Sequence, residues 1–291
     1  MIKEIDGLDV AARTKCNLGE GPAWNHELGA LHFVDIFGKK VYTYDPKKSS
    51  VSSFDTALSP GAVIPTDSSH LLIAMNDGIY YSDYEGREIK LQRSIEPNIE
   101  TNRMNDAKCD PNGILYAGTM GDGNSPSGSL YKVSPNEIEK VLGEITVSNG
   151  LAWTEAGTKF YYIDSGRQSV LVAKYDLENA QASDFKTFVE FPESFGIPDG
   201  MCSDQEDGIW VAFFGGSCVR RYSSTGELTH VIKLPVSQIT SCCFEGKESS
   251  IMYITTASLI LDPQMKHDES AGSVFTIDTG IIGASTVPYK S

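Results

Sequence analysis

Acidic and amide residues recur at one position of a repeating pattern in this sequence. Glu20, Asn149 and Asp199 each lie about ten residues before an apolar run, and Asn105-Asp106 and Thr240-Ser241 occupy the same position before two further runs. Carboxylate and amide oxygens are the ligands that hard divalent cations prefer in proteins. The pattern therefore indicates an oxygen-rich site for such a cation.

Two other interpretations of polar residues bear on this site. Asn-Gly and Asp-Gly pairs also mark tight turns, which explains each residue alone but not the recurrence at one phase of the repeat. Histidines show no shared spacing, so we interpret them as surface or packing residues rather than ligands of a softer metal. They are His26, His32, His70, His230 and His267.

The elements that must position these residues form an internal repeat. Six short strand-like runs begin at residues 31, 71, 114, 160, 209 and 252. Turn-forming residues precede nearly every run. A second alternating strand follows most of them, such as Lys40–Asp45 and Ser129–Val133. A four-stranded unit that recurs about every 45 residues is typical of a β-propeller. We predict an all-β, six-bladed propeller with four-stranded antiparallel blades, a single domain over residues 1–291 and a metal site in its central channel; a β-sandwich is the alternative.

No helical pattern competes with this architecture, and Asn179–Phe188 is the nearest helical candidate.

The charge of the chain limits the kinds of partner that it can bind. The chain has 24 Lys and Arg against 39 Asp and Glu, a formal charge of −15, so nucleic acid is not expected to bind. The first ten residues lack a signal-peptide apolar region, and no apolar stretch approaches about eighteen residues.

We therefore expect a cytoplasmic protein without a membrane partner. The outer strands show no large apolar patch, which favours a monomer, with a dimer as the alternative. Six scattered cysteines fit buried reduced thiols better than a disulfide framework. They are Cys16, Cys109, Cys202, Cys218, Cys242 and Cys243.

Four segments resemble the motifs of a known family in order and spacing. They are Leu18–Trp24, Asn102–Asp106, Ser148–Trp153 and Pro198–Cys202. The family is that of regucalcin (senescence marker protein), gluconolactonase and luciferin-regenerating enzyme, and the similarity runs along nearly the whole chain. The sequence is especially similar to animal regucalcins around Phe160–Ser165 and Thr240–Phe244.

The resemblance implies a six-bladed propeller, which agrees with the repeat count. It also implies that Glu20, Asn149 and Asp199 hold one divalent cation, and that Arg103 and Asn105 bind hydroxyl or carbonyl groups of a sugar lactone. Oxygen ligands accept Ca²⁺, Mg²⁺, Mn²⁺ and, less typically, Zn²⁺, so the identity of the cation stays open.

One position departs from the family pattern. Some regucalcins carry a glutamate after Gly-Thr-Met as a further substrate contact, whereas here Gly118-Thr119-Met120 is followed by Gly121-Asp122. We expect Asp122 to take that role with a shorter reach, which leaves the preferred sugar open.

Three roles are possible for Asp106. It can support the ligands, act as a further ligand in the channel, or be a structural turn residue.

The predicted reaction is metal-dependent hydrolysis of a sugar aldonolactone such as glucono-1,5-lactone. In this hypothesis Asp199 also orients or deprotonates the attacking water, and Arg103 stabilises the developing oxyanion. Two alternatives keep the same ligands. One is a calcium-binding regulatory protein of regucalcin type, and the other is a related hydrolase that acts on a phosphotriester or a luciferin-derived nitrile.

Overall fold

The computed structural model describes residues 2–134, 136–246, 248–259 and 269–290, so His267 lies outside the described residues. Within these ranges the chain forms six β-sheets, and they are the blades of a propeller. The predicted six-bladed architecture is confirmed.

The strands are as follows. The chain begins with β1 (Lys3–Glu4) and β2 (Asp9–Ala12). Blade 1 contains β3 (Gly19–Asn25), β4 (Ala30–Asp35), β5 (Lys40–Asp45) and β6 (Ser50–Asp55). Blade 2 contains β7 (Pro60–Pro65), β8 (Leu71–Met75), β9 (Gly78–Ser82) and β10 (Ile89–Ser94). Blade 3 contains β11 (Arg103–Cys109), β12 (Leu115–Met120), β13 (Gly128–Val133) and β14 (Ile138–Ile145).

Blade 4 contains β15 (Ser148–Trp153), β16 (Lys159–Asp164), β17 (Ser169–Asp176) and β18 (Gln181–Glu190). Blade 5 contains β19 (Ile197–Ser203), β20 (Ile209–Phe214), β21 (Cys218–Tyr222) and β22 (Leu228–Lys233). Blade 6 contains β23 (Ile239–Phe244), β24 (Ile251–Thr256) and β25 (Val274–Asp278). Short 3-10 helices span Ser165–Arg167 and Glu193–Phe195.

The ring closes through both ends of the chain. Each blade's first strand contacts the first strand of the next blade, and β23 of blade 6 contacts β3 of blade 1. Strand β2 supplies the outer strand of blade 6, where Val10 pairs with Phe275. Strand β1 adds to the edge of blade 5, in parallel with β22. A closed ring leaves no inner strand without a neighbour, which fixes the positions of side chains in the channel.

The apolar runs of the sequence become the second strand of each blade, which is buried on both faces. Six hydrophobic clusters lie between successive blades around the ring. The segment Asn179–Phe188 is not helical, because most of it belongs to strand β18, which pairs with β17 along its length. Many residues of β18 are exposed and polar. In the sequence, their mixture with apolar residues resembles the pattern of an amphipathic helix.

A C-terminal strap, which we define as residues 279–290, crosses the end of the channel formed by the carboxyl ends of the inner strands. Its backbone contacts every blade in turn. The contacts are Gly283 N to Ser249 O (3.0 Å), Ala284 N to Ser203 O (3.0 Å), Ser285 N to Glu155 Oε2 (3.3 Å), His26 Nε2 to Thr286 O (3.1 Å), Tyr289 N to Pro65 O (2.8 Å) and Lys290 N to Gly113 O (3.0 Å).

All six cysteines are buried free thiols, as predicted. In the part of the chain that the structure describes, no helix has the length and apolar character needed to cross a membrane.

We predict that strand β2 is needed to close the ring. Deleting residues 2–12 leaves the edge of β25 and the buried Phe275 without their outer strand, so the melting temperature should fall by roughly 10 °C or more in thermal unfolding followed by circular dichroism. Deleting residues 2–4 removes only exposed residues, including both residues of β1, and should change the melting temperature little. Equal melting temperatures for both deletions would contradict this role.

Candidate active site

A break in strand register occurs at the level of the predicted site in all six inner strands. The irregularities fall at Glu20/Ala23, Pro60/Ala62, Met104/Ala107, Asn149/Leu151, Pro198/Met201 and Ile239/Ser241. A β-bulge bends its strand and redirects side chains. The polar residues that recur in the sequence therefore sit at the bulges, where the strands turn side chains toward the channel.

Two glycines permit these bulges beside the predicted ligands. Gly21 and Gly150 follow Glu20 and Asn149 and have φ angles of +54° and +33°. Residues with a Cβ adopt positive φ only with strain. In the Glu-Gly and Asn-Gly pairs, the glycine thus allows the backbone to form the bulge. The same bulge explains why the pairs look like turn sequences and why they lie at the site.

Two buried aspartates anchor the chain where it enters the inner strands. Asp35 Oδ1 accepts the N–H groups of Leu18 (3.0 Å) and Gly38 (2.9 Å), just before Glu20. Asp164 Oδ1 accepts the N–H of Val147 (3.1 Å), two residues before Asn149. Carboxylates that accept several backbone N–H groups hold a loop in one conformation.

A chain of hydrogen bonds joins three blades across the site. Arg103 Nη1 donates to Asn105 Oδ1 (2.7 Å), and Asn105 Nδ2 donates to Asn149 Oδ1 (2.9 Å). Asn149 Nδ2 donates to Ser165 Oγ (2.9 Å), and Ser165 Oγ donates to Pro198 O (2.7 Å), next to Asp199. The chain fixes the orientation of the Asn149 amide and links three of the predicted site residues, Arg103, Asn105 and Asn149, to the residue before Asp199.

The amide of Asn105 is largely used inside the protein. Its Nδ2 also donates to Ser148 O (2.9 Å), so both of its N–H bonds have acceptors. Its Oδ1 accepts from Arg103 and keeps one lone pair. Asn105 therefore positions Arg103 and Asn149. A substrate hydroxyl could bond to Asn105 only by donating its hydrogen to Oδ1.

Two carboxyl groups face each other in the channel. Glu20 and Asp199 are each 8% exposed, and their side chains lie close enough to affect each other's ionisation. Burial, with the charge of Asp106 as the next cause, raises the pKa of Glu20 to about 8. Burial and the charge of Glu20 raise the pKa of Asp199 well above its ordinary value. Without a cation the pair holds a proton, because two like charges so close and so buried oppose ionisation.

Arg103 and Asp106 complete the charged groups at this level. Burial lowers the pKa of Arg103, while the charges of Glu20 and Asp199 act in the opposite direction. Burial raises the pKa of Asp106, and the charge of Lys108 opposes that rise. Asp106 Oδ1 accepts the N–H of Ala107 (2.8 Å), which is the contact of a bulge residue. Asp106 therefore lies in the channel wall beside the carboxyl pair.

Asp122 lies apart from this cluster. It is exposed, and its Oδ1 accepts the N–H groups of Asn124 and Ser125 (both 2.9 Å). Its loop follows Met120, which pairs with Arg103, so the loop stands at the Arg103 end of blade 3. The contacts of Asp122 are local, and its predicted role toward substrate stays a prediction.

The donor set at the bulges fits a hard divalent cation. Glu20 and Asp199 offer carboxylate oxygens, and Asn149 offers an amide oxygen held in place by its neighbours. Among the described residues no three His, Cys, Asp or Glu side chains form a metal-holding group, so an amide must complete any such set here. A cation between the two carboxylates would remove the repulsion that burial creates.

Two residues of the site were missed by sequence reasoning. Ser165 belongs to the turn after β16 and reaches the site only because blades 4 and 5 pack together. No local pattern marks it. Lys108 lies two residues after Asp106 in β11, and strand alternation could have placed it in the channel. Its Nζ donates to Met201 O (2.8 Å) across the ring.

Comparison with known proteins identifies relatives over nearly the whole chain. The family model described as the SMP-30/Gluconolactonase/LRE-like region matches residues 18–258. Regucalcin of Oryctolagus cuniculus is 35% identical over 284 residues, which cover 94% of this chain and 95% of the relative. The putative sugar lactone lactonase YvrE of Bacillus subtilis (strain 168) is 33% identical over 284 residues, with coverages of 96% and 97%.

A solved structure has the same fold. The structure of a luciferin-regenerating enzyme superposes with a TM-score of 0.91 at 31% identity and covers 98% of this chain and 99% of its own. The agreement extends along both chains, so it includes the inner strands that carry the site.

The raised pKa of Glu20 predicts an unusual pH dependence of stability. Between its ordinary value of 4.5 and about 8, the folded cation-free protein holds more protons than the unfolded chain. The free energy of unfolding should therefore fall as pH rises through this window. Thermal unfolding with a chelator at several pH values between about 5 and 8 measures the slope.

The slope should flatten in Glu20→Gln, which no longer ionises at this position. It should be unchanged in Glu178→Gln, because Glu178 is exposed. A slope that is the same in wild type and Glu20→Gln would show that the buried pair does not hold the extra proton.

We predict that Ser165→Ala weakens cation binding although Ser165 is not one of the predicted cation ligands. The substitution removes the acceptor for Asn149 Nδ2 and the bond to Pro198, so the amide can rotate. Loss of a group that orients a ligand typically costs about tenfold or more in metal affinity. Calorimetric titration with Ca²⁺ and Mn²⁺ measures it, with Ser52→Ala on the exposed strand β6 as control. Equal affinity in the two variants would contradict the orienting role.

Proposed function

Because the chain belongs to the SMP-30/gluconolactonase/LRE-like family, we propose that it is a metal-dependent hydrolase of sugar lactones. The observation that carries the proposal is the convergence of Glu20, Asn149 and Asp199 at the bulges of three inner strands, beside Arg103. The similarity to a Bacillus subtilis protein named as a putative sugar lactone lactonase supports the substrate class.

We assign Glu20, Asn149 and Asp199 to one divalent cation. When bound there, the cation would polarise the lactone carbonyl and lower the pKa of a water molecule. The protein prepares the donors in advance: Asn105 and Ser165 hold the amide of Asn149, and the bulges place both carboxyl groups in the channel. Two carboxylates and one amide would neutralise the double charge and leave room for substrate.

Asp199 is the residue we assign to the attacking water. In the cation-free protein it shares a proton with Glu20, and cation binding requires that proton to leave. The ionised carboxylate can then accept a hydrogen bond from water and take up its proton. Its strand is held on either side of the bulge, since Ser165 bonds Pro198 O and Lys108 bonds Met201 O.

Arg103 is the residue we assign to the substrate's oxygen atoms. Its Nη1 is engaged by Met104 O (2.9 Å) and by Asn105 Oδ1, which fixes the plane of the guanidinium. Among the described residues no acceptor bonds to its Nε or Nη2, so these donors remain for ring hydroxyls and for the oxyanion that develops on the carbonyl oxygen. A guanidinium held in one plane can stabilise that charge without reorganising during the reaction.

The test is hydrolysis of glucono-1,5-lactone by metal-stripped protein, with Ca²⁺, Mg²⁺, Mn²⁺ or Zn²⁺ added back singly and acid release followed at constant pH. We expect turnover above the spontaneous rate with at least one cation. Asp199→Asn should lower kcat by roughly 100-fold or more at saturating cation, because the group that accepts the proton is lost. Asp55→Asn, on exposed strand β6, should leave kcat unchanged.

Cation binding without turnover on glucono-1,5-lactone or a pentonolactone would reject the lactonase and favour the calcium-binding regulatory function. Full kcat in Asp199→Asn would reject the assigned proton acceptor while leaving the lactonase intact.

A further inference from the structure

A chamber lies in the channel on the far side of the bulges from Arg103. Its volume is about 240 Å³, and residues beyond the bulge of every inner strand line it. Residues 284–287 of the strap line its outer end. Gly21 and Asp106, which border the candidate active site, also border the chamber. The two spaces are therefore successive parts of one axial channel.

The chamber wall is mostly apolar, with one cationic side chain and two carboxylates, those of Asp106 and Glu155. Ala23, Pro111 and Val287 are partly exposed and line it together with buried thiols. Lys108 also lines it, and its Nζ donates to Met201 O (2.8 Å). An ammonium has three donors, so this bond uses one of them. An apolar pocket with a few convergent polar groups is the usual form of a small-molecule site.

Among the described residues, no carboxylate lies within ion-pairing distance of the Lys108 ammonium. Asp106 acts on Lys108 only at longer range. A partly buried cation without a paired anion is a favourable place for an anionic ligand.

The charge of the whole channel is compatible with an anionic ligand once a cation is bound. The channel holds four carboxyl groups and two basic side chains, and with all of them ionised the sum is two negative charges. The proposed divalent cation would cancel these charges, and this step rests on the proposed function. The Lys108 ammonium then decides the sign of the ligand that binds beside it. The groups counted are Glu20, Asp106, Glu155, Asp199, Arg103 and Lys108.

We propose that the chamber is a second binding site, which takes a short-chain monocarboxylate. The carboxylate accepts hydrogen bonds from Lys108 Nζ, and the alkyl chain packs against Ala23, Pro111 and Val287. The volume lies just below the range of roughly 300 to 1,000 Å³ typical of drug-sized ligands, so the molecule is small.

Sodium butyrate is the probe, with 1-butanol and butylammonium chloride as ligands of matched chain length and different charge. Calorimetric titration of the Ca²⁺-loaded protein should show butyrate binding at least about tenfold more tightly than either. Hydrogen exchange is measured in parallel. Butyrate should slow exchange of the strap amides Ala284, Ser285 and Tyr289, which a carboxylate bound only at the Ca²⁺ site would not do.

Lys108→Met should weaken butyrate binding about tenfold or more and abolish the strap protection, whereas Lys108→Arg should retain both. The wild-type ligand series stands without variants, so a misfolded variant does not remove the test. Equal affinity for butyrate and 1-butanol, or binding without strap protection, would overturn the proposal. If butyrate slows exchange of the strap amides but the protein hydrolyses no lactone, the binding site in the chamber is supported and only the proposed function is rejected.

Discussion

Burial of like charges at the axis is the constraint on which the rest of this structure depends. Glu20, Asp106 and Asp199 are each 8% exposed, and burial raises the pKa of all three. The charge of Asp106 also raises the pKa of Glu20 and of Asp199, and the charge of Glu20 raises that of Asp199. A chain keeps such a cluster only where its packing fixes the groups and a proton or a cation compensates them. The closed ring supplies the packing, since every inner strand is held by two neighbours.

The polar groups around the cluster act as one unit rather than as separate contacts. Asn105 and Ser165 hold the amide of Asn149, and Lys108 ties blade 3 to blade 5 just beyond the bulge that carries Asp199. These bonds cross blade boundaries, so movement of one inner strand would be felt by the others. The site is thus preorganised by the ring, and the strap adds a tie to each blade at the opposite end.

Sequence reasoning predicted the fold because the fold is periodic: the spacing of apolar runs indicated six blades. The recurrence of Glu20, Asn149 and Asp199 ahead of those runs predicted equivalent positions in three blades, and the structure shows a bulge at each of them. Sequence reasoning could not reach Ser165 or the strap, because these act through contacts between segments that are far apart in sequence. It also could not foresee that both N–H bonds of Asn105 are used internally, since that depends on the packing of blade 4.

The central claim is that Glu20, Asn149 and Asp199 together hold one divalent cation, and locating the cation tests it most directly. Crystals of metal-stripped protein soaked in Mn²⁺ would be measured for anomalous scattering. The account predicts one strong peak in the channel, about 2.0 to 2.6 Å from an oxygen of each of the three side chains. A peak elsewhere in the channel, or a peak that lacks Asn149 or either carboxylate as a ligand, would contradict it.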